Sequence, residues 1–233
     1  MSDAGRVIAG SARGVRLLPA GKGTRPLGDR VKQAHFGMLD PYLPGARVLD
    51  LFAGSGAGGI EALSRGAAGA VFVERDPGAA GVIGENLRRA TLAGSGTVAR
   101  VDVGRYLRDS AASDGPFDVV LIDPPYADTK SLDDALAALG AAPGILARGA
   151  WIAAKHFWRT PPYVDAGLLA SVRTRRFGET ALTLYRLPGD AGEAPAEDAG
   201  DVDVNDESAA NRDRAADGQQ ATRGDQGEEE APR

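Results

Sequence analysis

The chain reads as an α/β fold, a mainly parallel seven-stranded sheet with helices on both faces and a short N-terminal β-hairpin extension. Three observations predict it. From Arg47 onward, apolar strand-like runs alternate with helical stretches; a glycine-rich loop joins the first of these strands to the first of these helices; and the last two runs are separated only by a short turn.

Taken in order, Val7-Ile8 and Val15–Leu18 flank a Gly10–Gly14 turn region, a short hairpin decorated by Arg6, Arg13 and Arg16. A loop rich in Gly, Lys, Arg and Pro follows over Pro19–Gly28. Asp29 suits the N-cap of a helix over Arg30–Leu39, where Val31, Ala34, His35, Met38 and Leu39 recur on one face. His35 lies in that apolar stripe and reads as a packed core histidine. Strands are predicted at Arg47–Leu51, Ala70–Glu74, Thr97–Val101, Phe117–Ile122 and Ala150–Ala154, with a closing pair near Ser171–Phe177 and Thr180–Leu187. Helices fall between them at Gly58–Arg65, Gly78–Ala93, Gly104–Ser110 and Ser131–Leu139. The organisation expected is an N-terminal arm over 1–45 on the substrate side, a sheet domain over 46–188, and a tail over 189–233.

Charge separates that tail from the rest. Asp190–Arg233 holds 14 acidic residues against 4 arginines, while the preceding residues carry a net charge of +5, so the overall −5 hides a mildly basic domain. The tail has almost nothing apolar beyond Val202 and Val204 and is expected to be disordered. With no cysteine, disulfides, thiolate nucleophiles and cysteine-held metals are excluded, and two histidines are too few for a histidine metal cluster. No run approaches the roughly 20 apolar residues of a membrane span. A soluble, cytoplasmic protein without a metal is the expectation.

Two motifs carry chemistry. Asp50 through Gly59 follows the first strand and opens a helix, and Gly54, Gly56 and Gly59 satisfy the letters of a dinucleotide-binding loop. Glycines let the backbone approach a ligand with no Cβ in the way. Asp50, however, stands four residues before the first glycine, where a carboxylate suits a cation and repels a pyrophosphate. S-adenosylmethionine, with a sulfonium, an ammonium and no phosphate, fits better; the dinucleotide reading stays open at this point. Glu74, ending the next strand, can accept ribose hydroxyls of either cofactor.

The second motif is Asp123-Pro124-Pro125-Tyr126, at the end of the apolar strand Val119–Ile122. The prolines stiffen the loop and remove backbone donors. Asp123 and the Pro124 carbonyl offer acceptors for both hydrogens of an exocyclic amine, freeing its lone pair, and Tyr126 offers a face for stacking an extruded base, worth roughly 1–3 kcal/mol. Lys155–Arg159 could flank the same base or pack on the domain edge.

With both motifs in view, the sequence over Arg6–Leu187 resembles the RsmD family of bacterial 16S rRNA guanine-N2 methyltransferases, within the Rossmann-like class I methyltransferases. The resemblance rests on Arg6–Gly10 with Arg13-Gly14, Thr24–Pro26 with Asp29–Val31, Asp50–Gly59, Glu61–Ala67, Asp123–Tyr126 and Phe177–Thr180. It implies S-adenosylmethionine held by Asp50, Phe52, Gly54, Gly56, Gly58, Glu74, Asp102 and Asp123, with Asp102 on the adenine amino group. Catalysis is implied at Asp123, Pro124, Pro125 and Tyr126. Arg6, Arg13, Arg25, Arg30 and Lys32, together with Arg16 and Lys22, would hold 16S rRNA in a partly assembled small subunit, the enzyme acting as a monomer without metal or membrane. The implied target is guanine 966 in the family's rRNA numbering. Leu27, Gln33 and Ala154 stand where the family usually has Thr, Glu and Glu, and the acidic tail lies outside its pattern. The alternatives are another nucleic-acid amino methyltransferase, such as one for adenine N6, and a non-catalytic RNA-binding assembly factor.

Overall fold

A computed structural model describes residues 5–21, 29–125, 128–142, 144–162 and 167–189. The predicted alternation folds as one seven-stranded sheet. Strands β1 (Arg47–Leu51), β2 (Gly69–Val73), β3 (Gly96–Ala99), β4 (Phe117–Ile122) and β5 (Leu146–Phe157) run parallel, while β6 (Ala170–Phe177) and β7 (Thr180–Arg186) close it as an antiparallel pair. Their spatial order is β3-β2-β1-β4-β5-β7-β6. The chain order therefore reverses between β1 and β4, the place where open α/β sheets hold their ligands beyond the strand ends.

Residue alternation sends each strand's side chains to two cores. Val48, Phe72, Val119, Leu121, Trp151 and Leu184 pack on one face, against α1 (Asp29–Leu39), α2 (Ala57–Ser64), α3 (Pro77–Arg89) and the N-terminal hairpin. Leu49, Leu51, Val120, Ile122, Ile152 and Tyr185 pack on the other, against α4 (Val103–Asp109), α5 (Ala111–Asp114) and α6 (Thr129–Ala141). Strands buried on both faces are near-continuous in apolar residues, as Val119–Ile122 is.

Several elements differ from expectation, among them α3, which ends at Arg89 rather than Ala93, and β3, which ends at Ala99 rather than Val101. Asp29 is the first residue of α1 rather than its cap. The short α5 leaves no mark in the sequence, because Ala-Ala-Ser-Asp is too brief to show a helical period. Strand β5 is 12 residues long, well beyond Ala150–Ala154. Its extra length comes from its neighbours: β4 pairs with it as early as Leu146, and β7 pairs with it as far as Phe157.

The hairpin is present but minimal, with one antiparallel bridge between Arg6 and Arg16 and backbone bonds from Val7 to Val15 and from Gly14 to Val7. Most of its anchoring is to α2. The fully buried Glu61 accepts the backbone N–H groups of Ile8 at 2.8 Å and Ala9 at 3.0 Å, and the Nε–H of Arg65 at 2.8 Å. The Ser64 hydroxyl accepts from Ala12 and donates to the Ala9 carbonyl. Gly10 must be glycine: its φ is +82°, and a Cβ there would lie 1.7 Å from the Ser64 carbonyl oxygen.

Replacing Glu61 by Ala leaves three donors without their acceptor, and unmet buried donors cost about 1–3 kcal/mol each. We expect Glu61→Ala to lose roughly 3 kcal/mol or more in urea unfolding and to expose the hairpin to limited proteolysis. Glu61→Gln, which keeps one acceptor, should lose less; equal stability of Glu61→Ala and the native chain would refute the clamp.

Candidate active site

At the carboxyl edge of the sheet, acidic residues stand at four neighbouring strand ends. Asp102 follows β3, Glu74 follows β2, Asp50 lies near the end of β1, and Asp123 follows β4. The predicted cofactor residues and Asp123 are thus brought to one edge, in the order 102, 74, 50, 123 across the sheet.

The glycine loop is shaped by what grips it. Phe52 adopts φ +59°, a left-handed conformation that non-glycine residues disfavour, and Gly54 and Gly56 follow at +55° and +77°. Gly56 caps α2 without a side chain, so the helix's first N–H groups need an acceptor from elsewhere. Asp50 supplies it, its Oδ2 accepting from the Gly59 N–H at 2.8 Å. Glu74 accepts from Gly54 at 2.9 Å and from Asp76 at 2.8 Å. Asn86 of α3, fully buried, donates to the Ser55 carbonyl at 2.9 Å while its amide exchanges two bonds with Leu18 of the arm. Gly59 has a packing role as well: a Cβ would sit 2.3 Å from the Phe72 ring.

Electrostatics follow from this layout. Asp50 is 3% exposed. Burial pushes its carboxyl up to about 8, the Gly59 bond opposes that rise, and the negative charges of Asp123 and Glu74 add to it. A crevice that resists another negative charge suits a cation. The acceptor set fits S-adenosylmethionine on the same grounds: Glu74 uses one lone pair on each oxygen for the loop and keeps others for hydroxyl donors. Asp102 is exposed and caps α4, accepting from Arg105 at 3.2 Å. Among the described residues, no cluster of His, Cys, Asp and Glu could hold a metal ion.

Asp123 is not an isolated acceptor. Lys155 of β5 reaches both of its oxygens, with the Nζ–Oδ2 bond at 2.6 Å. The register explains the pairing, since Ile122 lies beside Ala154 and the next residues of each strand sit level. Lys155 is 11% exposed against 41% for Asp123, so the ammonium lies beneath and the carboxylate faces outward. His35 of α1 is near enough to feel the Lys155 charge. It is buried as expected, neither ring nitrogen has a hydrogen-bond partner, and burial followed by the Lys155 charge lowers its pKa to about 4. It is neutral at neutral pH. Pro124 is buried and Pro125 exposed, the Pro125 carbonyl accepting from Asp128, which in turn caps α6.

Sequence reasoning missed Lys155 as the partner of Asp123, and it missed Glu61 and Asn86 as anchors. The predicted RNA-facing cluster also needs one correction. Lys32 is 2% exposed, and its ammonium donates to the Arg6 carbonyl at 2.9 Å, so it braces the hairpin from inside. Its position one turn into a helix packed on the hairpin, not visible from charge alone, buries it. Arg6, Arg13 and Arg16 are exposed. Lys22, Arg25, Leu27, Tyr126 and the acidic tail lie outside the described residues, as does the side chain of Arg30.

A model of the family described as "Conserved hypothetical protein 95" matches residues 5–186. The chain belongs to that family, the RsmD family. The YlbH protein of Bacillus subtilis (strain 168) is 38% identical to this RsmD-family chain over 185 residues, covering 79% of the chain and 100% of YlbH. Ribosomal RNA small subunit methyltransferase D of Escherichia coli (strain K12) is 42% identical over 123 residues, which is 52% of the chain and 60% of that relative. Among solved structures, the yhhF protein of Escherichia coli has 32% identity and a TM-score of 0.69, over 80% of the chain and 99% of yhhF. The fold alone is shared with an RNA methyltransferase from Salinibacter ruber in complex with S-adenosyl-L-homocysteine, at 20% identity and a TM-score of 0.52, over 76% of the chain and 100% of that one. The sheet is that of the class I methyltransferases.

The raised Asp50 carboxyl gives a pH signature. Between about pH 4 and about pH 8 the folded protein keeps a proton that the unfolded chain has lost, so this residue's contribution to stability falls as pH rises through that window. Asp50→Asn keeps an acceptor for Gly59 and removes the charge. Its denaturation midpoint, relative to the native chain, should rise between pH 5 and pH 8; a constant difference would show that Asp50 does not titrate in this window.

Proposed function

We propose that this RsmD-family chain transfers a methyl group from S-adenosylmethionine to an exocyclic amine of a base in small-subunit rRNA, the N2 of a guanine being the target its family resemblance implies. The observation that carries this reading is the place of Asp123. It stands on the sheet edge between the acid-lined glycine crevice and β5, with its carboxylate outward and fixed from beneath by Lys155.

S-adenosylmethionine supplies an electrophilic methyl on a sulfonium, and the protein's residues bind and orient. Asp50, Glu74 and the loop through Phe52, Gly54, Gly56 and Gly58 form the cation-compatible side, with Asp102 beyond. Asp123 accepts one N–H of the incoming amine and the Pro124 carbonyl the other, leaving the nitrogen lone pair directed at the methyl carbon. Lys155 need not leave, because a carboxylate has about four acceptor positions. It fixes the carboxylate's orientation, which is what an in-line transfer demands. The proton lost from the nitrogen passes to solvent or to Asp123. Tyr126 is proposed to stack on the base, and Arg6, Arg13, Arg25 and Arg30 to hold the rRNA backbone of a partly assembled subunit, the enzyme working as a cytoplasmic monomer.

The test is methyl transfer from labelled S-adenosylmethionine into undermethylated small subunits, with the modified guanines mapped. Asp123→Ala should lower kcat by roughly 100-fold or more, in line with removal of a polar group that acts in the transition state, with S-adenosyl-L-homocysteine binding measured alongside to separate that loss from its implied cofactor contact. Undiminished turnover would remove Asp123 from the reaction, and no transfer by the native chain would refute the rRNA reading.

A further inference from the structure

The strand order leaves a second surface on the side of Asp123 away from the cofactor crevice. Glu74 and Asp50 lie to one side of Asp123, and the ends of β5, β7 and β6 lie to the other. Because β5 pairs with β7 at Phe157–Thr180, and β7 with β6 at Thr180–Phe177, the β6–β7 turn lies at the same edge of the sheet as Asp123. A large substrate seated at Asp123 therefore has these strand ends beside it.

Trp158 stands there, one residue beyond β5. Its indole lies under two guanidinium groups, Arg176 at 3.6 Å and Arg159 at 4.8 Å from the ring centre. The residue is held from behind, as the Trp158 backbone N–H donates to the Glu179 carbonyl at 3.2 Å, and Arg176 Nε donates to the Gly178 carbonyl at 2.9 Å. Both arginines are exposed and Trp158 is half-buried. Across residues 157–160 and 173–180, four arginines stand against a single acid, Glu179.

Two cations over one ring gain about 0.5–1 kcal/mol each from the π face at an exposed site. They also repel each other, and an anion beside them reduces that repulsion. A planar aromatic flanked by guanidinium groups matches unpaired RNA, whose bases stack on rings and guanidinium planes and whose phosphates take charged hydrogen bonds. At about 3.3 Å per residue, Trp158 lies roughly 10 Å beyond Lys155 along the strand direction, within reach of nucleotides flanking a base seated at Asp123.

We infer that Trp158, Arg159 and Arg176 form an RNA-holding surface for unpaired nucleotides beside the target base. The inference rests on the rRNA reading above and adds to the arm a second point of attachment, from the opposite end of the domain's sequence. Neither arginine belongs to the methyl-transfer or cofactor machinery, so their removal should leave that machinery intact.

The experiment measures affinity for 16S rRNA across a salt series with the full chain, Arg159→Ala/Arg176→Ala, and Arg176→Lys, alongside transfer kinetics and S-adenosyl-L-homocysteine binding. The double variant should bind RNA about tenfold more weakly. Its slope of log K against log salt should flatten by about 0.7 for each phosphate no longer neutralised, as for single strands. KM for small subunits should rise while kcat and S-adenosyl-L-homocysteine binding hold. Arg176→Lys, which keeps the charge but loses the planar stack, should fall between. Native RNA affinity and salt slope in the double variant would overturn the surface while leaving the rRNA reading intact. Native-chain transfer to another acceptor but not to rRNA would overturn that reading and this surface's role with it.

Discussion

A buried carboxyl group holding the first turn of a helix is the constraint around which this domain is arranged. Gly56 gives α2 its left-handed start but no capping side chain, and Asp50 accepts the Gly59 N–H from the neighbouring strand instead. That bond fixes the distance between β1 and α2, and with it the curve of the loop between them. Glu74 and Asn86 then hold the loop's remaining backbone from β2 and α3. The consequence is a carboxyl group kept out of water beside two other acids. Such an arrangement is unfavourable alone and becomes favourable when positive charge arrives.

A comparable chain of polar contacts organises the substrate side. Asp123 takes its direction from Lys155, and the Lys155 charge helps to keep His35 neutral. Within the arm, Lys32 braces the hairpin from inside.

Much of this is legible in the sequence because it is local. Alternating apolar runs mark all seven strands, the spacing of Asp50 and the glycines marks a loop suited to a cation, and the acid ending Val119–Ile122 marks Asp123. What escapes is long-range or hidden by residue type. Glu61 and Asn86 meet partners 31 to 68 residues away, and nothing in their surroundings distinguishes them from solvated helix residues. Lys155 pairs with Asp123 across 32 residues through a strand register that only the sheet order reveals. Lys32 misleads because lysine in a basic stretch resembles surface charge, whereas here the Arg6 carbonyl claims it. The length of β5 is likewise imposed by its partners on both sides.

The hairpin's dependence on Glu61 and Ser64 bears on modularity. A β-hairpin that closes its own ladder can be cut out or grafted with its fold intact, but this one closes a single bridge with a few backbone bonds and takes several of its partners from α2. Conversely, α2 without the hairpin would present a carboxylate and a hydroxyl shaped to backbone groups that are gone. The two segments, more than 50 residues apart in sequence, form one structural unit, so a transplant of either would have to carry the other.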